Sequence, residues 1–464
     1  MLSVKKKRII SALLCAAMIV SAGVMASSCG GGGSTTSGSG NSGNLEEFVP
    51  ENKNVTIWGA FGEDYYQNFE RDNPDIVLDH STSSDHSLMT LAAAIQAGTQ
   101  PDMFYTNNAA NAPLGEAVGR DLIIPLDSYF EKDPAYQKSD LPEWYDMFVK
   151  YEGSDGQQHI YGVYTDVSVA CLVWNKDMFE QNGLDPDTPP STWSEMKTMA
   201  AKLNKTDANG MLSQAGFTSY GWWFQHWRLT YGTTYQDPLT GKPDINTDEM
   251  KNVMEFLKSF PASFGGADKL PDTVNWGAGN VGMAIADTGY AQNMVNNFKT
   301  GIAPMPKPDD KEGDPAIAGY AWQWYGIPKG CKNPDGGWLV ARWAVTNGSA
   351  AIQAKAALEN PETWVPVYQV HKPSKQALFD KYLDGCRKDI QEILNKREEI
   401  YDQISIARPV NAPINANWEK ALESKCVEIV NGETTVTDGL AYIQKVGMKL
   451  YQDYQKDVLG KTGE

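Results

Sequence analysis

Two short aromatic runs stand out in this sequence as groups that could bind a ligand. Residues 220–227 hold five aromatic rings and His226, and residues 320–325 hold four rings. A ring face matches the apolar C–H face of a pyranose, and burying about 50 Å² of it contributes on the order of 1.2 kcal/mol. Acidic, amide and basic side chains would bind the sugar's hydroxyl rim. These runs therefore predict a carbohydrate site with Trp222, Trp223 and Trp322 as candidate rings.

Core packing is the competing interpretation of the same rings. Trp322 and Trp324 are two residues apart, so they share one face of a strand. A sandwiched core strand would bury both of them. Trp222 and Trp223 are adjacent and point in different directions, so at most one of them is expected to serve a pocket.

Strand and helix patterns alternate in the first part of the body. The predicted elements are strand 55–58, helix 63–71, strand 75–80, a helix capped by Ser84 or Asp85 and ended by Gly98, and strand 102–105. Further helices are predicted from Thr247, over 338–345, over 390–404 and after Thr437. The initial β-α-β-α-β order predicts an α/β fold built on a doubly wound parallel sheet.

That topology also predicts where a ligand binds. In open α/β sheets, ligands lie beyond the carboxyl ends of the strands. Here those ends are 59–64, 81–86 and 106–111. Strand topology therefore adds Asp85 and His86 to the candidate ligand-binding residues.

Several chemistries are not supported by the sequence. It has no GxSxG or HExxH motif, and its GxGxxG match at 38–43 lies in a Gly/Ser segment without a preceding strand. His80 and His86 are poorly spaced for zinc. A net charge of −18 disfavours a nucleic-acid partner. We expect no catalytic residue, metal or cofactor, although paired carboxylates for glycoside hydrolysis stay open among 58 acids.

The first 28 residues are typical of a secretory signal peptide. Four basic residues at 5–8 precede an apolar run over 9–24, which is shorter than the ~20 residues of a spanning helix. Cys29 resembles the lipidated cysteine of bacterial lipoproteins, and the Gly/Ser-rich stretch 30–44 would serve as a tether. Ala26 replaces the usual lipobox Leu, so plain secretion and an uncleaved anchor remain alternatives.

Four cysteines remain in the body, namely Cys171, Cys331, Cys386 and Cys426. None forms a CxxC pair. Buried thiols and one or two disulfides are both compatible with an exported protein.

Five segments together carry a family resemblance, although no single one is specific. They are Leu91–Asp102 with its Gly-Thr-Gln-Pro-Asp end, Leu122–Asp127, Tyr161–Glu195 with Trp-Asn-Lys-Asp and Pro-Pro-Ser-Thr-Trp, Gly279–Ala284, and Ile327–Trp338. In this order, across about residues 53–450, the chain resembles the bacterial extracellular solute-binding proteins of family 1, substrate receptors of ABC sugar importers. It departs from the family pattern at Val163-Tyr164 and at Trp174.

The resemblance implies a two-lobed periplasmic-binding-protein-like fold. Each lobe would be a doubly wound, mostly parallel sheet, with the ligand cleft between the lobes. Lobe 1 would span 52–165 with 325–360, and lobe 2 would span 166–324 with 361–464. Residues 1–28 would be the signal peptide and 29–51 the lipidated cysteine and tether.

The resemblance also implies the cleft residues and the function. The motifs carry over Asn107, Asn108, Asp166, Ser168, Trp222 or Trp223, Asp287, Tyr290 and Trp322, with Trp276, Arg408 and Trp418 as weaker candidates. We expect a monomeric, lipid-anchored receptor on the outer face of the cell membrane that delivers an oligosaccharide to an ABC permease. A polyamine, a phosphorylated compound or a peptide is the alternative ligand, and a surface glycosidase is a further alternative.

Overall fold

The structure is a computed structural model, and it describes residues 48–59, 62–80, 87–107, 114–218, 224–237, 241–288, 294–321, 323–407 and 415–457. Its strands are β1 Asn54–Trp58, β2 Val77–Asp79, β3 Met103–Asn107, β4 Lys150–Glu152, β5 Gln158–Ile160, β6 Val163–Tyr164, β7 Ser168–Asn175, β8 Lys205–Thr206, β9 Leu212–Phe217, β10 Val281–Asp287, β11 Thr300–Pro304, β12 Ile317–Tyr320, β13 Gln323–Gly326 and β14 Ile404–Ala407.

The α-helices are α1 Glu63–Asp72, α2 Leu88–Ala97, α3 Leu114–Gly119, α4 Asp127–Lys132, α5 Asp146–Val149, α6 Lys176–Gln181, α7 Trp193–Leu203, α8 Phe224–Leu229, α9 Asp248–Ser263, α10 Pro334–Trp343, α11 Ser349–Glu359, α12 Lys372–Tyr382, α13 Lys388–Tyr401, α14 Asn415–Val430 and α15 Val436–Asp457. A π-helical turn at Ala344–Gly348 joins α10 to α11. Short 3₁₀ turns lie at Lys138–Asp140, Glu143–Tyr145, Ala267–Lys269, Trp276–Ala278, Pro361–Thr363 and Leu383–Gly385. None of the described helices combines the length and apolarity needed to cross a bilayer.

The first sheet has the strand order β2-β1-β3-β13-β6. β1 pairs in parallel with both β2 and β3, as the predicted β-α-β-α-β unit requires. The helix between β2 and β3 begins later than predicted, because Ser87 is its N-cap and accepts a hydrogen bond from the Thr90 N–H at 3.2 Å. Gly98 ends that helix in the left-handed conformation, as predicted.

The second sheet has the order β14-β12-β7-β10-β9-β8, with β11 also paired to β7. It is mixed, since β10 runs antiparallel to β7 and parallel to β9. The first sheet is also mixed, because β13 is antiparallel to β3 and β6 is antiparallel to β13. The predicted parallel pairing is therefore present among β1, β2 and β3. β13 enters the first sheet after the chain has passed through the second sheet, and it runs antiparallel to β3.

β7 is buried along its whole length and contributes its two faces to different cores. Val169, Cys171 and Val173 belong to a first core that also surrounds the first sheet. The alternate residues of β7, including Leu172, belong to a second core under α7, α9, α14 and α15. This alternation follows from the two-residue period of a strand.

Three segments connect the two sheets. The first is Thr165–Val167, between β6 and β7, and the second is residues 321–322, between β12 and β13. The third segment lies between α11 and α12, where Gln369 forms an antiparallel bridge with Asp166. The predicted helix over 390–404 ends at Tyr401, and Ile404 instead begins β14, which pairs with β12.

Candidate functional site

The carboxyl edges of the two sheets meet at the first connection. In the first sheet, β1, β3 and β6 all end on one edge, because each is parallel to the others directly or through β13. In the second sheet, the end of β10 lies beside the start of β7. Only three residues separate β6 from β7, and four residue steps span at most about 14 Å. A ligand between the sheets would therefore lie beside this connection, in which Asp166 is the partly exposed residue.

Asp166 lies in this short connection and is partly exposed. Burial, followed by the negative charge of Asp287, raises the pKa of Asp166 to about 6. Asp166 is thus a partly exposed carboxyl group in surroundings that disfavour its charged form. Such a group can accept hydrogen bonds from a ligand.

Asp287 and Ser168 are held beside Asp166 by the pairing of β7. Asp287 is the last residue of β10 and is paired with Ala170, and it is 5% exposed. Ser168 is the first residue of β7, is paired with Tyr320 and is 3% exposed. The three residues predicted from the motif around Trp174 and from the end of β10 therefore lie together at one edge.

A chain of hydroxyl hydrogen bonds fixes this edge from behind. The Tyr401 hydroxyl donates to the carbonyl oxygen of Val167 at 2.6 Å and lies 2.6 Å from Thr288 Oγ1. The Val169 N–H in turn donates to Thr288 Oγ1 at 3.0 Å. α13 thus holds the start of β7 against the end of β10, and the backbone around Asp166 is preorganised.

Three tyrosines line the first-sheet side of the same junction. Tyr105 is partly exposed and packs on Tyr325, with ring centroids 4.9 Å apart. Burial, followed by the charge of Asp166, raises the pKa of Tyr105 to about 12. The charge of Asp166 also contributes to the raised pKa of Tyr65, after burial and Tyr105. The Thr165 hydroxyl donates to the Tyr325 hydroxyl at 3.3 Å.

These tyrosines were missed in the sequence because Tyr65 and Tyr105 were assigned only to a helix and a strand. A usable signal exists for Tyr105, which lies two residues before the end of β3, the edge where a ligand is expected. Tyr65 has no such signal, since its position near Asp166 depends on how α1 packs.

The predicted site residues are only partly covered by the described chain. Asp166, Ser168 and Asp287 come together, and the backbone of Asn107 lies on the adjoining edge, paired with Gln323. The candidates outside the described residues are Asp85, His86, Asn108, Trp222, Trp223, Tyr290, Trp322 and Arg408, together with the lipid-anchor residue Cys29.

Trp276 is not brought to this group. Trp276 lies in a 3₁₀ turn just before β10, and this turn ends at Gly279. The Gly279 carbonyl oxygen accepts a hydrogen bond from the Asn175 side chain at 3.2 Å. Asn175 is the last residue of β7, so it lies about 23 Å from Ser168 at 3.3 Å per residue. Trp276 packs against Phe298 instead, with ring centroids 5.1 Å apart.

Other aromatic candidates are core residues. Trp418 is fully buried and donates to the Ile443 carbonyl oxygen at 3.2 Å. Trp324 and Trp227, one from each aromatic run, are also fully buried. Core packing thus accounts for these members of the two runs.

The cysteines lie mainly in the protein interior. Cys171, Cys386 and Cys426 are buried and Cys331 is partly exposed, and all four are free thiols. Burial raises the pKa of each of them. Within the ranges that the structure describes, no cluster of three or more His, Cys, Asp or Glu residues is arranged to hold a metal ion.

Comparisons with solved structures bear on the fold. A solved structure of CpMnBP1 with mannotriose bound has a TM-score of 0.60 and 23% sequence identity, and the match covers 85% of this chain and 100% of that one. UspC from M. tuberculosis has a TM-score of 0.64 at 16% identity, and the match covers 86% of this chain and 100% of UspC. These likenesses confirm the predicted two-lobed α/β binding-protein fold.

Sequence comparisons identify the family that the sequence motifs indicated. The sn-glycerol-3-phosphate-binding periplasmic protein UgpB of Escherichia coli strain K12 is 26% identical over 278 residues, which cover 56% of this chain. The match spans 61% of the length of UgpB. A family model described as bacterial extracellular solute-binding protein matches residues 51–351. The chain therefore belongs to the bacterial extracellular solute-binding protein family.

Proposed function

We propose that this chain is the cell-surface substrate-binding lipoprotein of an ABC importer, and that it captures an oligosaccharide between its two lobes. The observation that carries this proposal is the junction of the two sheets, where Asp166 and Tyr105 lie together on the carboxyl edges. A ring and an acceptor side by side suit the C–H face and the hydroxyl rim of a sugar. Several structurally similar proteins bind an oligosaccharide or are named for binding one, among them CpMnBP1 with mannotriose.

The proposed lobes follow the chain connections. Lobe 1 comprises 52–165 with 325–360, and lobe 2 comprises 166–324 with 361–464. Ligand binding shifts an equilibrium between open and closed lobes, which requires that the ligand bind the closed form more tightly. The protein then delivers the sugar to the permease as a monomer.

Calorimetric titration of the purified exported protein tests the ligand class. The panel comprises α- and β-linked glucans, mannans, xylans and galactosides. Micromolar binding to one class, weakened by Trp222→Ala, Trp223→Ala or Trp322→Ala, is the expected outcome. Absence of binding across the panel would shift the proposal to a non-sugar solute.

A phosphorylated solute is the second candidate, because UgpB is named for binding sn-glycerol 3-phosphate. The same titration with sn-glycerol 3-phosphate distinguishes it, and polyamines and peptides complete the panel. A surface glycosidase is a weaker alternative. It predicts product formation from the bound oligosaccharide over hours, whereas a receptor returns its ligand unchanged.

Anchoring at Cys29 is proposed from the sequence alone. Lipidation would place the protein on the outer face of the cell membrane, and the Gly/Ser-rich tether would separate the binding domain from the bilayer. Cys29→Ser should release the protein into the medium or periplasm. Retention of the Cys29→Ser variant in the membrane fraction would instead indicate an uncleaved anchor.

A further inference from the structure

The first and third connections between the sheets run side by side. Asp166 in the first connection forms an antiparallel bridge with Gln369 in the third, which comprises residues 360–371 between α11 and α12. The Val370 N–H donates to the Thr165 carbonyl oxygen at 3.4 Å. A rotation of one sheet relative to the other would therefore bend both connections.

One face of α13 contacts both connections. The Tyr401 hydroxyl donates to the Val167 carbonyl oxygen in the first connection at 2.6 Å. Arg397 lies one helical turn earlier on the same face, and its guanidinium donates to the Pro366 carbonyl oxygen in the third connection. The Tyr401 ring also stacks on Tyr368 of the third connection, with ring centroids 3.6 Å apart. Two neighbouring side chains of one helix thus hold both connections.

Neither of these α13 side chains can reach a ligand. Tyr401 and Arg397 are both 0% exposed. Burying a guanidinium is unfavourable, and the hydrogen bond to Pro366 partly offsets that cost. The Glu398 carboxylate lies 3.7 Å from Arg397 and also pairs with Lys375. Tyr401 and Arg397 can therefore affect ligand binding only through the connections that they hold.

We propose that Tyr401 and Arg397 are positioning residues for ligand binding, because they make the first and third connections bend as a single hinge. This inference rests on the proposed function and identifies what sets the affinity of its site. The apparent association constant of a two-lobed receptor is that of the aligned form multiplied by the fraction of molecules in that form. Connections that bend independently would allow more orientations of the lobes, so the aligned fraction would fall. Every ligand would then lose affinity by the same factor.

Tyr401→Phe tests the link to the first connection. The variant keeps the ring that stacks on Tyr368 and removes the hydroxyl that donates to Val167. We expect the calorimetric affinities of the purified exported protein for mannobiose, mannotriose and maltotriose to fall by one common factor of about threefold to tenfold. Factors that differ between these probes would indicate a direct ligand contact and would overturn the proposal.

Tyr129→Phe is the matched control. The Tyr129 hydroxyl donates to Asp335 Oδ1 at 3.0 Å and joins α4 to α10, outside both connections. Both tyrosine variants should lower the midpoint of urea denaturation, whereas only Tyr401→Phe should weaken binding. An unchanged affinity of Tyr401→Phe would show that its hydrogen bond serves stability alone.

Hydrogen exchange of the ligand-free protein tests the coupling between the two connections. Arg397→Met is the second variant, and it is expected to fold because an apolar side chain of similar length removes the buried charge. Arg397→Met should raise amide exchange over residues 165–170, and Tyr401→Phe should raise it over residues 364–371. Exchange that rises only in the connection whose hydrogen bond was removed would overturn the single hinge. Tyr129→Phe should change neither segment.

The outcomes distinguish this inference from the proposed function. Sugar binding by the parent, with unchanged affinity in both α13 variants, overturns the inference and leaves the proposed function intact. A parent protein that binds no oligosaccharide overturns the proposed function together with the effect on affinity. The hydrogen-exchange comparison then decides by itself whether α13 couples the two connections.

Discussion

The Asp102 carboxylate accepts a hydrogen bond from the backbone N–H of Asn333 at 2.8 Å, although 231 residues separate the two. Its other oxygen accepts from the Thr56 N–H at 2.9 Å. The Asn333 side chain donates to the carbonyl oxygens of Asn52 and Asn54 and caps α10 through the Gly336 N–H. Two motifs that carried the family resemblance thus hold β1, β3 and α10 together.

Asp102→Asn should therefore destabilise the protein without changing ligand contacts. The amide retains one acceptor and leaves a buried N–H without its partner, which costs about 1–3 kcal/mol. Urea denaturation measures the change. Asp75→Asn, at an exposed turn residue, is the matched control and should stay within about 0.5 kcal/mol of the parent. Equal stabilities of the two variants would contradict the structural role.

Asp166→Asn should stabilise the protein at neutral pH, in contrast to Asp102→Asn. The folded-state pKa is about 6 and the ordinary pKa of an Asp side chain is 3.8, so the native protein binds more protons than the unfolded chain between these values. This contribution is most favourable below pH ~4 and is lost as the pH rises through about 6. Removing the charge should therefore raise the free energy of unfolding at pH 7.5.

The increase in the free energy of unfolding caused by Asp166→Asn is at most about 3 kcal/mol, at 1.36 kcal/mol per pKa unit. It should disappear at pH ~4, where Asp166 is neutral in the native protein. Denaturation curves of the parent and the variant at both pH values provide the measurement. A variant that is less stable at pH 7.5 would show that the carboxylate supports the fold rather than a ligand.

Gly337→Ala should disrupt the packing of α10 on the first sheet. A Cβ at Gly337 would overlap the backbone carbonyl oxygen of Asp102 and also contact Ile327. Alanine normally favours a helix over glycine by roughly 0.5–1 kcal/mol, but backbone overlap should reverse this sign and destabilise the protein by about 1–3 kcal/mol. Gly119→Ala, where a Cβ meets nothing within 4 Å, is the control. A thermal midpoint of Gly337→Ala at or above that of the parent would refute the overlap.

Tyr105→Leu should weaken oligosaccharide binding about tenfold through loss of the ring face and the hydroxyl group. Trp276→Ala should leave the affinity within about twofold, because Trp276 lies at the far end of β7. Calorimetry with the saccharide found in the panel provides the measurement. Stronger dependence on Trp276 than on Tyr105 would relocate the ligand site.

The four body cysteines should all titrate as thiols in denaturant without a reductant, since Cys171, Cys331, Cys386 and Cys426 are unpaired. In the native protein, Cys331 should react first with a thiol reagent because it is partly exposed. The other three should react only as fast as the protein opens. A count of two or zero thiols in denaturant would instead indicate disulfides.

Local patterns in the sequence were sufficient for much of the fold. The apolar stripe of α2 and the glycine at its end predicted that helix, because each signal depends only on neighbouring residues. The start of α2 was misplaced because Ser84, Asp85 and Ser87 have similar capping ability. The strand nature of Ile404 also escaped prediction, since it depends on pairing with Ile317, 87 positions earlier in the chain.

The sequence by itself determined the family, the β-α-β-α-β unit and the motif positions of Asp166, Ser168 and Asp287. Tertiary structure decided which rings lie near these acids, because Trp276 and Tyr105 have equally suitable side chains and differ only in position. It also decided that Asp102 supports the scaffold, whereas no ion pair or side-chain hydrogen bond joins the Asp166 carboxylate to another residue in the ranges that the structure describes. Both are carboxylates in short polar segments, and only the packing of distant strands and helices determines whether hydrogen-bond donors reach them.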